Sequence, residues 1–221
     1  TVEVTEGYFK SPAGNIRIID TPGIYSLHSD TDEQKVTQRI LLEEDIDLIV
    51  NVLDARNLSR NLYLTLQLLE LDIPMIVILN QMDMAEELGM EIDIDLLSDI
   101  LGVPVIPMVA SKGLGISELE EMLSSVAALT VERKYSDTSA SILPHAPKEE
   151  ILTFSQPVEE VLSILQERIE ETIPEEEGKH RLHPPRALAI HLMEHDTLDE
   201  DIFHTYPELA EVVENFQEDL A

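Results

Sequence analysis

Apolar positions along the first half of the chain follow two alternating periods. Tyr8-Phe9-Lys10 and Ile16-Arg17-Ile18-Ile19 are β-prone, and Ser11-Pro12-Ala13-Gly14-Asn15 between them is rich in turn formers. Together they predict a hairpin over residues 7–20. Residues 25–32 are polar and irregular, after which Asp30 or Thr31 is placed to cap a helix carrying Val36, Ile40 and Leu41. Leu48-Ile49-Val50-Asn51-Val52-Leu53 is a nearly continuous apolar run ending in Asp54, the pattern of a strand buried in a covered parallel sheet. Leu58, Leu62, Leu66 and Leu69 follow at helical spacing. Ile73-Pro74-Met75-Ile76-Val77-Ile78-Leu79 predicts another buried strand, running into Asn80-Gln81-Met82-Asp83. Leu96, Leu97, Ile100 and Leu101 mark a helix closed by Gly102. Residues 103–109 read as a further strand, with Pro104 and Pro107 favouring its start or an edge. It ends in Ala110-Ser111-Lys112-Gly113, and a helix starting at Ser117 carries Leu119, Met122, Leu123 and Val126.

This alternation predicts an α/β layered domain. Right-handed crossovers in one parallel sheet would bring the polar clusters at Asp20, Asn80 and Ala110 to a single edge. The composition turns to Ser, Thr, Pro and charge over residues 131–148, which read as a linker. Beyond it the strand pattern stops. Val158, Val161, Leu162, Leu165 and Ile169 predict one amphipathic helix, Pro184-Pro185 precede a second, and Leu209, Val212, Val213 and Phe216 mark a third. The expected organisation is an α/β domain over residues 1–130, the linker, and a small all-α domain over residues 149–221.

Composition narrows the function classes. The 221 residues are 43% hydrophobic, enough for a substantial core, and contain no cysteine, which excludes thiolate and disulfide chemistry. Forty-five acidic residues against fourteen basic ones give a formal net charge of −31. That charge disfavours nucleic-acid binding through phosphate neutralisation and docking on an anionic leaflet. No apolar run reaches the length of a membrane span.

The candidate chemistry lies at the strand ends. Asp20-Thr21-Pro22-Gly23 interrupts a strand, placing a carboxylate at its carboxyl end with an adaptable backbone beyond. Ligands of open α/β sheets bind there. In nucleotide hydrolases such an Asp holds Mg²⁺ and the Gly amide faces a terminal phosphate. Asp83 in the loop after a buried strand can accept both the ring N–H and the exocyclic amine of guanine. Adenine lacks that donor pair and would leave the charge unpaired. Asn80 is placed to bond the base and brace neighbouring loops. Ala110-Ser111-Lys112 can direct a backbone amide at the guanine carbonyl, with Lys112 over the ring. Taken singly, D-x-P-G and N-x-x-D are common turns; their placement at the ends of successive strands gives them weight.

These motifs resemble the third and fourth sequence elements of a GTPase domain. More narrowly, Thr1-Val2-Glu3, Asp20-Thr21-Pro22-Gly23-Ile24-Tyr25-Ser26-Leu27, residues 57–67 (NLSRNLYLTLQ) and Asn80-Gln81-Met82-Asp83 resemble the ferrous iron transport protein B family. Residues 185–194 (PRALAIHLME) are similar to that family's R-x-L-A-x-x-L-L-E stretch. The resemblance implies a P-loop GTPase-like sheet followed by a helical domain that modulates nucleotide release. GTP, GDP and Mg²⁺ are the implied ligands. The implied setting is a membrane permease of the same parent chain, on the cytoplasmic face of a prokaryotic plasma membrane, with room for a homo-oligomer. Thr1 matches the switch threonine that binds Mg²⁺, Asp20 the outer-sphere Mg²⁺ aspartate, and Gly23 the γ-phosphate donor. Ile24 stands where many small GTPases carry a water-orienting glutamine, which implies slow intrinsic hydrolysis.

The chain departs from the family in one respect. No G-x-x-x-x-G-K-[ST] occurs in it. In the family the first strand, the phosphate loop, the first helix and the K⁺-binding asparagine precede the switch threonine. The expectation is therefore a piece whose parent carries these elements upstream and the permease downstream, and which binds nucleotide poorly alone. Two other readings stand beside it: another TRAFAC-type GTPase such as a ribosome-assembly factor, disfavoured by the acidic charge, and a non-catalytic guanine-nucleotide-binding interaction module. His191-Leu192-Met193-Glu194-His195 also fits H-x-x-E-H, near His180 and His183, but reads as the face of a structural helix.

A net charge of this size is tolerated best where counter-ions screen it, as in a saline cytosol. Stability followed by urea unfolding is expected to rise between low and molar KCl; a flat or falling curve would refute a saline adaptation.

Overall fold

A computed structural model of the chain describes residues 4–27, 31–71, 73–135, 154–172 and 185–193, with residues 206, 207 and 209. Strands β1 (Thr5–Ser11) and β2 (Gly14–Asp20) form the expected antiparallel hairpin, in a register that pairs Thr5 with Asp20 and Ser11 with Gly14. Only Pro12 and Ala13 make the turn, and Gly14 takes a φ of 138°. Helix α1 (Asp32–Glu43) is capped by Thr31: its hydroxyl accepts from the Gln34 amide, and the Gln34 side chain accepts from the Thr31 amide.

Three strands, β3 (Ile49–Asp54), β4 (Met75–Asn80) and β5 (Val105–Pro107), build a parallel sheet in that order. Helix α2 (Leu58–Leu69) crosses between β3 and β4. The short α3 (Met82–Glu87) and then α4 (Ile94–Leu101) cross between β4 and β5. Asp93 caps α4 through the Leu96 amide, and Gly102 closes it at φ 66° with its N–H on the Ser98 carbonyl.

β4 is the centre of this unit. Its residues Met75, Ile76, Val77, Ile78 and Leu79 are all buried. Alternate side chains serve two cores. Met75, Val77 and Leu79 join Leu53, Leu68, Ala85, Leu101 and Val105 on one face. Ile76 and Ile78 join Ile106, Met108 and Val126 on the other, under helix α5 (Ile116–Tyr135). Helix α5 runs five residues into the segment read as a linker, because helical order continues past the change in composition; residues 136–148 lie outside the described set.

Among the described residues the strands form two sheets, β2 pairing with β1 and β3 with β4. Burial along β3 is uneven. Asn51 and Leu53 are buried, while Val50 and Val52 are 38% and 60% exposed. An apolar run reads alike whether one face or two are covered, because it carries no polar alternate to mark the open side.

The helical part packs α6 (Gln156–Thr172) against α7 (Pro185–Met193). Leu162, Leu165, Ile169, Leu188, Ala189, Leu192 and Leu209 form its core. The expected third helix falls largely outside the described residues, as do His180, His183 and His195. No helix among the described residues is long and apolar enough to cross a membrane.

The unequal burial of neighbouring strands has a measurable consequence. Leu79→Ala is expected to cost about 3 kcal/mol in urea unfolding, and Val52→Ala less than about 0.5 kcal/mol.

Candidate functional site

The end of β4 turns abruptly into α3. Gln81 supports that turn in the left-handed region, at φ 62°, the one non-glycine residue with positive φ among those described. Such a conformation costs a bulky residue about 1–2 kcal/mol and is held by surrounding structure. It lets Asn80 end the strand while Met82 already starts the helix. The Met82 amide donates to the Met108 carbonyl at 3.3 Å, tying α3 to the exit of β5. Met82 itself packs on the main core.

Asn80 and Asp83 each reach the loop after β5. Asn80 Oδ1 accepts from the Ala110 amide at 3.1 Å. Asp83 Oδ2 lies 2.7 Å from Lys112 Nζ, and Asp83 Oδ1 accepts from the Met84 amide at 3.0 Å. The Lys112 hydrogen bond is the main cause that holds the Asp83 carboxyl below its usual range, and the same bond raises the Lys112 ammonium. Asp83 is thus an ionised, acceptor-only group at neutral pH. Lys112 Nζ sits on Asp83 in this structure through a charge-assisted bond.

The 110–114 loop is held by tight geometry. Residues 110–112 form one 3-10 turn closed by Gly113 at φ 72°, and Val109 bridges back to Leu114. At Gly115 (φ 85°) a Cβ would stand 2.6 Å from the Pro107 carbonyl oxygen, so this fold-back requires glycine. Of the loop amides, Ala110 donates to Asn80 and Lys112 to the Val109 carbonyl at 2.9 Å. No acceptor for the Ser111 N–H is seen among the described residues.

The Asp20 turn approaches from the other side. Asp20, Thr21 and Gly23 are exposed, and a Cβ on Gly23 would meet nothing within 4 Å. Gly23, Ile24 and Tyr25 line a cleft of about 310 Å³ with residues 51–54, Asn61, Leu64, Asn80 and Gln81. The structure therefore brings Gly23, Asn80 and Gln81 to one cavity and joins Asn80, Asp83, Ala110 and Lys112 beside it. Asp20, Thr21 and Pro22 lead into the cleft without lining it, Ser111 lies on its flanking loop, and Thr1 is outside the described residues.

The sequence reading missed the groups on β3 and α2. Asp54 accepts from Arg56 Nε at 3.0 Å, Arg56 Nη2 at 2.8 Å, the Arg56 amide at 2.9 Å and Asn57 Nδ2 at 2.9 Å. The Arg56 bond is the largest of the causes that bring its carboxyl down to about 2. Asn61 Oδ1 accepts from the Asp54 amide at 2.9 Å, and Asn51 Nδ2 donates to Thr65 Oγ1 at 2.9 Å in the interior. Asp54 is so fully engaged that it orders the turn from β3 into α2. The available signal was the one used for Asp20: an acid ending an apolar run.

Comparison with known proteins then decides the family. The model for ferrous iron transport protein B matches residues 1–123. The chain belongs to the ferrous iron transport protein B family. The Fe(2+) transporter FeoB of Salmonella typhimurium is 41% identical over 150 residues, which cover 66% of this chain and 18% of the relative. This member thus spans less than a fifth of that relative's length. The cytosolic domain of L. pneumophila FeoB superposes with a TM-score of 0.75 at 31% identity, covering 96% of this chain and 75% of the other. An NFeoB variant of S. thermophilus, bound to GDP.AlF4-, gives 0.74 at 30% identity, covering 100% and 78%. The α/β architecture is therefore that of FeoB G domains, and a ribosome-assembly factor is set aside.

Asp54 yields a pH test. Its folded-state pKa lies below the ordinary 3.8, so its contribution is complete above that value and is lost as pH falls towards about 2. Asp54→Asn is expected to lower stability by about 1–2 kcal/mol at neutral pH. In urea melts the gap from the parent chain should close below pH 4; a gap independent of pH would refute the role.

Proposed function

We propose that this chain is the guanine-nucleotide switch of a ferrous iron transporter, whose parent binds and hydrolyses GTP to regulate Fe²⁺ uptake. The observation that carries the reading is the junction of Asn80, Asp83, Ala110 and Lys112 at the carboxyl ends of β4 and β5. Asp83, held ionised, accepts from guanine N1–H and the exocyclic amine once Lys112 moves off it to cover the ring. The Ser111 N–H, for which no acceptor is seen among the described residues, meets the guanine carbonyl. Asn80 keeps the two loops in register. The nucleotide complexes named for NFeoB of S. thermophilus support the same assignment.

The phosphates then extend toward the cleft. The exposed Asp20 carboxylate and open space at Gly23 fit a hydrated Mg²⁺ and a terminal phosphate respectively. Thr1 and Asp20 would hold the Mg²⁺, which neutralises phosphate charge when bound. Ile24, lining the cleft, has no polar group to orient water, consistent with slow hydrolysis. The residues that cradle phosphates in a P-loop, and any K⁺ ligand, are sought in the parent outside these 221 positions. The permease of the same chain is the proposed partner, at the cytoplasmic face of a prokaryotic plasma membrane, with residues 149–221 acting on nucleotide release.

The base site provides the test. Asp83→Asn replaces an acceptor with a donor, which suits the C2 carbonyl of xanthine and opposes the guanine amine. In the full-length parent, fluorescent-nucleotide titration is expected to show GDP affinity falling at least ~100-fold with xanthosine diphosphate gaining. Unchanged GDP binding would refute the assignment.

A further inference from the structure

Helix α4 carries more apolar side chains than its core takes in. Ile94, Leu97 and Leu101 face inward, joining Met82 and Ala85 of α3 in the main core. Leu96 and Ile100, one turn apart, lie on the outer side and are 54% and 57% exposed. The doublets Leu96-Leu97 and Ile100-Leu101 thus give the helix one apolar stripe inside and another outside. Helix α3 repeats the arrangement: Ala85 is buried, while Met84 and Leu88, again four residues apart, are 43% and 67% exposed. Both helices cross between β4 and β5 and pack on one core, so their outer sides lie on the same face of the domain. Single exposed apolar residues are ordinary, whereas stripes on two consecutive helices mark an interaction surface.

The polar residues among them are of one sign. Glu86, Glu87, Glu91, Asp93, Asp95 and Asp99 are all exposed. The chain holds no Lys, Arg or His from residue 61 to residue 111. Asp95 and Asp99 adjoin Leu96 and Ile100 at the same spacing, so an acidic row runs beside the apolar one on α4. None of the six acids is ion-paired among the described residues.

That charge selects the occupant. An anionic leaflet or a nucleic acid is repelled, and a second copy would bring the same acids to the contact. A cationic helix with its own apolar stripe satisfies both rows at once. Its apolar side chains cover Leu96 and Ile100 while its Lys or Arg residues reach Asp95 and Asp99.

We propose that the outer side of α3 and α4 is a docking surface for a cationic amphipathic helix of a partner polypeptide. The apolar stripe supplies affinity, and the acidic row supplies orientation and partner choice. The inner stripe keeps α4 on its core, so docking asks for no change of fold. The surface uses none of the residues assigned to the base, and stands whether or not the chain binds nucleotide.

The probe is a synthetic helix of about 18 residues with Leu on one face and Lys on the other. Titrated into the isotope-labelled chain, it is expected to shift the amide resonances of residues 84–100 and leave those of β1 and β2 in place. Leu96→Ser combined with Ile100→Ser should weaken binding at least ~10-fold, through loss of the central apolar contacts. Asp95→Asn combined with Asp99→Asn should weaken it about tenfold and flatten its dependence on KCl. A peptide of the same composition with Leu and Lys mixed around the helix should bind at least ~10-fold less tightly. Circular dichroism checks that each variant keeps its fold; if the serine pair disturbs it, the nearly isosteric asparagine pair decides alone. Resonance shifts spread over the whole acidic surface, or binding indifferent to these substitutions, would overturn the proposal. So would a dimer of the free chain that the serine pair disperses in sedimentation, which gives the face to a second copy. Flotation with phosphatidylglycerol vesicles, lost in the same variant, would give it to a lipid surface and overturn the proposal as well.

Discussion

The complete burial of β4 is the constraint on which the rest of the G domain depends. A strand with both faces in apolar cores must end where the sheet ends, because its next residues would otherwise carry polar groups into one of those cores. Asn80 is the first residue allowed to be polar, and Gln81 takes the left-handed conformation that turns the chain off the sheet. The position of the proposed base site is thus set by the length of the hydrophobic strand. α3, pinned by Met82 in the core and by its amide on Met108, then fixes Asp83 against the loop that carries Lys112.

Two kinds of rigidity meet at this edge. The Asn80–Lys112 side is held by backbone geometry: a 3-10 turn, a bridge from Val109 to Leu114, and a glycine at residue 115 that admits no side chain. Among the described residues the Gly23 side is held through side chains: Arg60 over the Tyr25 ring, Gln34 on Ser26, and Gln67 and Gln38 on the Leu27 backbone. Side-chain contacts of this kind exchange at lower cost than backbone pairing. A fixed pair of loops beside a repositionable segment is the division that the proposed nucleotide switch requires.

Much of this was legible in the residue pattern. The hairpin, the alternation of strands and helices and Gly102 as a helix stop were all readable, because each depends on short-range chemistry. The cap of α1 was narrowed to two residues, and Thr31 took the role because Gln34 completes a reciprocal pair. What escaped the sequence was long-range. Nothing in the run from Leu48 to Leu53 distinguishes a strand covered on one face from one covered on two. Nor can the residue pattern show that Glu70 lies 3.6 Å from Arg186, more than a hundred positions away. Asp54 was visible as a strand-ending acid, but only the donors around it separate a structural carboxylate from a ligand-binding one.

A net charge of −31 has a colloidal consequence. Two copies of the chain repel at every approach, over a distance that shrinks as salt screens the charge. Association between copies is therefore opposed most strongly at low ionic strength.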